Sequence, residues 1–185
     1  IRGAYPIRGH RTHKPSRAFE NTQYTFDIVC DIGAFRDLHR HRVLTQQRQP
    51  YSTVHGFEMP QDIIDLGVED RYRSVMQQAK KAYETIVTDF PAEAQYIVPF
   101  GYLIRFSMKM NAREAFHLCE LRSTVQGHWS YRWVAQEMAR AIAKVHPAIG
   151  DGMMIDWSES GEMARLKAEQ RQEEKLQKLG FERDY

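Results

Sequence analysis

The chain is poor in cysteine, in long apolar runs and in glycine-rich loops, and each shortage removes a class of function. Cys30 and Cys119 are the only cysteines among 185 residues. Two are too few for a disulfide framework, and they lack metal-ligand spacing. No apolar stretch approaches the roughly 20 residues that span a bilayer, which excludes a transmembrane protein. No glycine-rich phosphate loop follows a strand, so neither a P-loop nor a dinucleotide-binding fold is supported. There are no internal repeats or low-complexity tracts. What remains is 42% hydrophobic, 27% charged and 11% aromatic, enough apolar residue for a packed core. Wholesale disorder is thereby excluded, and the chain reads as one soluble, cytoplasmic domain.

The charge is unevenly spread. The formal net charge is +2, but the first 50 residues carry nine Lys/Arg against four Asp/Glu, together with four of the eight histidines. A local basic surface suits an anionic ligand such as phosphate, although solvated surface charge gives the same composition. The chain opens on Ile1 without an apolar leader, as expected of a piece cut or trimmed from a longer polypeptide.

Hydrophobic periodicity supplies the elements. Residues 1–21 carry Gly3, Pro6, Gly9 and Pro15 without an apolar period and read as an irregular lead-in. From Thr22 to Ile32 the residues Tyr24, Phe26, Ile28, Cys30 and Ile32 alternate with Gln23, Thr25, Asp27, Val29 and Asp31, which predicts a strand with one buried face. A short helix over Ala34–His41 follows Gly33, then a long loop over 49–67. Three- and four-residue steps predict an amphipathic helix from Val68 to Phe90, stopped by Pro91. A second strand places Tyr102, Ile104, Phe106, Met108 and Met110 on one side. Asn111 is a good N-cap for a helix running to about Arg122. Another helix spans about His128–His146, with Tyr131, Val134, Met138, Ala141, Ile142 and Val145 as its stripe, flanked by Trp129 and Trp133. A charged C-terminal helix is expected within 158–185, over about Glu159–Leu179 with Gly180 as its stop. The fold class is α+β, a small antiparallel sheet packed with long helices, with the main domain over residues 22–157.

The densest polar cluster is Arg36-Asp37-Leu38-His39-Arg40-His41-Arg42. On a helix Arg36 and Arg40 would share a face. Crowding Arg40, His41 and Arg42 costs repulsion unless an anion offsets it, and the planar guanidinium binds phosphate bidentately. A solvated basic helix end, favoured by the helix dipole, is the plainer reading of the same residues. His39 and His41 have no acidic or cysteine partner at ligand spacing, so no metal site is expected. Cys30 falls on the apolar side of its strand and Cys119 in an apolar helix, both expected in cores rather than as nucleophiles.

These residues resemble a known family. Arg40-His41-Arg42 followed by Thr45 is similar to the start of the flavin-dependent thymidylate synthase signature, RHR-x2-S-x4-S-x-R. Asn111-Ala112-Arg113 through Leu121-Arg122 resembles that family's N-A-R…L-R helix, with the nine-residue step between the arginines kept. Pro99, Arg105 and the dipeptide Phe19-Glu20 also fall where the family has matching residues, so the likeness covers about residues 13–146.

The resemblance implies an enzyme that uses FAD and NADPH to move a one-carbon unit from methylenetetrahydrofolate to dUMP, making dTMP, and that works as a homotetramer with shared sites. By that resemblance Arg40, His41, Arg42, Asn111, Ala112, Arg113 and His117 would bind the flavin. Arg122 would bind and polarise the uracil, a fixed cation that stabilises charge developing on the ring. The sequence also departs from the signature. Pro50 replaces its second serine, Ser52 its closing arginine, Arg48 an acidic residue, and Gln95 an arginine that helps bind the nucleotide phosphate. The family's L-R-x4-A-Q-x-E continues here as Leu121-Arg122 and then Gly127-His128-Trp129-Ser130. Each lost bidentate arginine removes a bond of about 1.5–3 kcal/mol, leaving Arg48 to take over the phosphate.

Three readings follow. The first is a divergent thymidylate synthase of this kind. The second is a catalytically degenerate copy of the fold, such as half of a tandem fusion completing a partner domain's site. The third is a nucleic-acid-binding domain using the basic N-terminal stretch, although an aromatic platform or a recognition-helix motif is missing.

Overall fold

The computed structural model describes residues 8–158, 170–172 and 174–175. Its contacts divide the chain into two compact units, one of Arg17–Glu114 and one of Ile1–Ser16 with Ala115–Tyr185.

The Arg17–Glu114 unit is built on a three-stranded antiparallel sheet. Strand β1 (Gln23–Asp31) and strand β2 (Thr45–Arg48) lie on either side of a central strand β3 (Leu103–Asn111). The register sets Phe26 opposite Met108, Ile28 opposite Phe106 and Cys30 opposite Ile104. The expected alternation therefore becomes one apolar face, on which Ile104, Phe106, Met108 and Met110 are all buried. On the opposite face the Arg105 guanidinium bonds both carboxylate oxygens of Asp27 in the exposed ladder. That pairing holds the Asp27 carboxyl below its usual range.

Helix α1 (Ile32–Leu38) begins directly on β1, earlier than the expected Ala34. The reason is a cap: Asp31 Oδ1 accepts from the Ala34 N–H at 2.8 Å. Gly33 is needed inside this first turn, because a Cβ there would sit 2.9 Å from that oxygen. The helix ends at Leu38 with His39 as its cap, so the expected run to His41 is corrected. Arg40 lies beyond the helix, and the predicted Arg36–Arg40 helical face does not form. Phe35 stacks on the His39 ring at 5.1 Å and meets Phe106 edge-on at 4.8 Å, joining α1 to the sheet.

Two further elements were not expected. Strand β2 precedes the long loop, and helix α2 (Gln61–Asp65) lies within it. α2 closes at Gly67, whose φ of +66° is the left-handed conformation that only glycine takes without cost. Helix α3 (Glu69–Ile86) is shorter than the predicted 68–90, and Pro91 lies beyond its end. It is also less buried than its period implies. Met76 is its one buried residue, and Val75 is exposed. α3 is held by the Tyr102 hydroxyl donating to the Met76 carbonyl at 2.7 Å.

Helix α4 (Ala112–Arg122) begins where β3 stops. Asn111 Oδ1 accepts from the Glu114 N–H at 2.9 Å, as expected of an N-cap, and the Ala112 N–H donates to the Thr22 carbonyl. Residues 112–114 belong to the first unit and the remainder of α4 to the second.

In the second unit helix α5 (Trp129–Val145) starts at its cap His128, and a short helix α6 (Pro147–Gly150) follows. The buried stripe of α5 runs through Ser130, Val134, Met138 and Ile142. The predicted stripe is therefore rotated: Ala141 and Val145 are exposed. The rotation has a cause, since Arg132 is buried and donates to the carbonyls of Ser123 and Ser158 at 2.8 and 2.9 Å. Beyond α6, the predicted helix over Glu159–Leu179 and its stop at Gly180 lie mostly outside the described residues. Residues 170–172 and 174–175 are helical. Among the described residues, no helix is long and apolar enough to cross a membrane.

Both cysteines are buried, as expected, and neither forms a disulfide. Burial, with the Asp31 carboxylate adding to it, pushes the Cys30 thiol up to about 12. At pH 8 the thiolate is then scarce. Iodoacetamide is expected to leave Cys30 unmodified in the native protein and to alkylate it in guanidinium, as read by peptide mass. Native alkylation at a rate near that of free cysteine contradicts this burial.

Candidate functional site

Within the Arg17–Glu114 unit, two segments distant in sequence meet, and a third lies further along the sheet. The first is the turn after α1, where the His41 N–H donates to the Leu38 carbonyl at 3.3 Å. Arg40 and Arg42 are exposed on either side, and Arg40 is paired only loosely with Asp37 at 3.7 Å. The His41 side chain turns the other way and is 4% exposed. There its Nδ1 lies 3.1 Å from Oε1 of Glu114, at the start of α4. Two arginines flanking a buried, fixed imidazole form a donor-rich corner suited to a polyanion such as a pyrophosphate.

The second segment is the start of α4. Asn111 is half-buried and spends its side-chain oxygen on the helix cap. Ala112 is fully buried. Arg113 reaches Glu20 at 3.0 Å, so the two motif-like segments Phe19-Glu20 and Asn111-Ala112-Arg113 are tied by an ion pair. Glu20 also takes Arg17, and these hydrogen bonds hold its carboxyl below its usual range.

The third segment is the end of β2. The Arg48 guanidinium lies 4.6 Å over the Tyr51 ring. The Tyr51 N–H donates to Oε1 of Gln95 at 3.0 Å. The structure thus gathers Arg48, Pro50, Ser52 and Gln95, the positions that depart from the signature, around one exposed strand end. Beside them Gln46 keeps a buried side-chain Nε2 without a partner.

Two sequence-predicted residues fall in the second unit. His117 is exposed on α4. Arg122, in the last turn of α4, lies 5.6 Å over the ring of Tyr131.

Sequence reasoning missed Glu114, although it is the buried partner of His41. Pattern reading gives a glutamate at the third position of a helix a capping role, reaching back to its own N-cap. No local signal points it across 73 residues to a histidine.

Comparison with known proteins identifies the family. The family profile described as "Thymidylate synthase complementing protein" matches residues 7–148. A UPF0159 protein of Chlamydia muridarum is 45% identical over 165 residues, which is 89% of this chain and 31% of that protein. One from Thermoplasma acidophilum is 36% identical, covering 89% of this chain and 34% of that protein. A flavin-dependent thymidylate synthase of Geobacter sulfurreducens is 34% identical over 140 residues, 70% of this chain and 60% of that protein. The chain therefore spans about a third of the length of the UPF0159 relatives it matches. With more than half its residues matched, the chain belongs to the thymidylate synthase complementing protein family.

Proposed function

We propose that this chain is a flavoprotein of the thymidylate synthase reaction, converting dUMP to dTMP with methylenetetrahydrofolate and NADPH. One observation carries the reading. The Arg40-His41-Arg42 turn and the Asn111-Ala112-Arg113-Glu114 helix start, both family-like, meet through the His41–Glu114 contact.

The residues present suit FAD. Arg40 and Arg42 offer exposed guanidinium groups to its pyrophosphate, with His41 held between them in sequence. Bound there, the flavin would supply hydride and one-carbon chemistry that no side chain can. The protein's own part is binding and electrostatics. Arg48, over the Tyr51 ring at the strand end, would meet the nucleotide phosphate in place of the missing arginines. Arg122 provides the cation for negative charge on the uracil ring. An oligomer or a tandem partner domain, as the family resemblance implies, would complete the site.

A second reading has an observation of its own. Gln95, where the family resemblance places a phosphate-binding arginine, is occupied with the Tyr51 N–H. A copy that keeps flavin but has lost dUMP would look like this.

The purified protein is expected to be yellow and to keep its flavin absorbance through gel filtration. An Arg40→Ala/Arg42→Ala variant is expected to lose it. Tritium release from 5-labelled dUMP then separates the two readings, since release supports the synthase and its absence supports the degenerate copy. A wild-type chain that takes up no FAD sinks both.

A further inference from the structure

His41 and Glu114 form an almost dry pair, with side chains 4% and 8% exposed. Glu114 does not choose its direction freely. Its backbone N–H is fixed by Asn111 Oδ1 at 2.9 Å, and Asn111 is itself the last residue of β3, opposite Gln23. In the usual capping box a glutamate at this position returns to the N-cap N–H. Here it leaves the helix end and accepts from the His41 ring at 3.1 Å instead.

A buried carboxylate needs donors, and a lone pair on Nδ1 facing it would be repulsive. The ring therefore carries a proton on Nδ1, and the bond to a rigid helix start fixes its plane.

We infer that Glu114 is a positioning residue: through the Nδ1 bond it fixes the His41 imidazole, and so sets the cofactor affinity of the Arg40-His41-Arg42 turn. This rests on the flavin reading above. The mechanism depends on reach rather than charge. Glutamine keeps an oxygen at the same distance that can accept from Nδ1, whereas aspartate keeps the charge but is one methylene too short.

The test is FAD titration of the full chain by flavin fluorescence, with folding checked by circular dichroism. Glu114→Gln is expected to bind FAD within threefold of wild type. Glu114→Asp is expected to bind about tenfold more weakly, the scale of coupling between residues in contact. In a His41→Ala background, Glu114→Asp should cost nothing further. Without flavin, histidine side-chain ¹⁵N spectra should show His41 protonated at Nδ1 in wild type and Glu114→Gln, and a changed tautomer balance in Glu114→Asp.

An additive loss in the double variant, a Gln variant as weak as the Asp variant, or a His41 spectrum indifferent to Glu114 overturns the inference while leaving flavin binding standing. Failure of the wild type to bind FAD overturns the functional reading as well.

Discussion

Glu120→Ala is expected to destabilise the unit formed by residues 1–16 and 115–185 by about 3–5 kcal/mol, the cost of stranding one partner of a buried ion pair. Glu120 takes both terminal nitrogens of Arg8 at 2.7 Å, with the two side chains 2% and 4% exposed. Arg8 also donates to the carbonyls of His13 and Gly152, and its guanidinium lies 5.0 Å over Phe116. Glu120 Oε1 accepts in addition from the Met154 N–H. Deleting the carboxylate therefore leaves a cation in a dry site and frees a backbone donor. In thermal unfolding the midpoint should fall by about 10 °C for a chain of this size. The pair gains little over apolar packing, so an Arg8→Met/Glu120→Leu double variant should lose less than Glu120→Ala does. A single variant as stable as wild type would mean that Arg8 finds other compensation.

Arg122→Ala is expected to lower kcat by about 10²–10³ while flavin stays bound, the loss typical of removing one group that stabilises developing negative charge. The reason lies in the division of labour proposed above. In that proposal Arg40 and Arg42 would hold the cofactor, and Arg122, over the Tyr131 ring at the end of α4, would hold the uracil. Tritium release under saturating dUMP reads kcat, and flavin absorbance after gel filtration reads the cofactor. Arg122→Lys should recover only part of the rate, since an ammonium replaces a planar fork. Loss of flavin in Arg122→Ala would reassign this residue to cofactor binding.

The sheet's two long strands and the Asn111 cap were legible in the sequence because local pattern and tertiary role agree there. Tyr24 to Cys30 and Tyr102 to Met110 alternate because one face is buried, and that burial is what the alternation reports. β2 was not legible. Thr45-Gln46-Gln47-Arg48 has no apolar alternation, and its extended form comes from edge pairing with β3, which local sequence does not encode. α1 was placed late because Gly33 reads as a breaker when isolated, whereas the preceding Asp31 makes it a tolerated first-turn residue. For α3 the period was right but the burial it implies is incomplete, since a stripe shows which side is apolar and not whether anything covers it. The site splits similarly. Its arginines were visible as a run, but Glu114 acquires its meaning from a partner 73 residues away.

Central placement of β3 also dictates an order of assembly. β1 and β2 are both complete by Arg48, yet they pair with β3 and not with each other. A chain emerging from the ribosome must carry both strands unpaired until residues 103–111 arrive, and closing so distant a contact is slow. Truncation before Leu103 would leave two ribbons with no ladder to join.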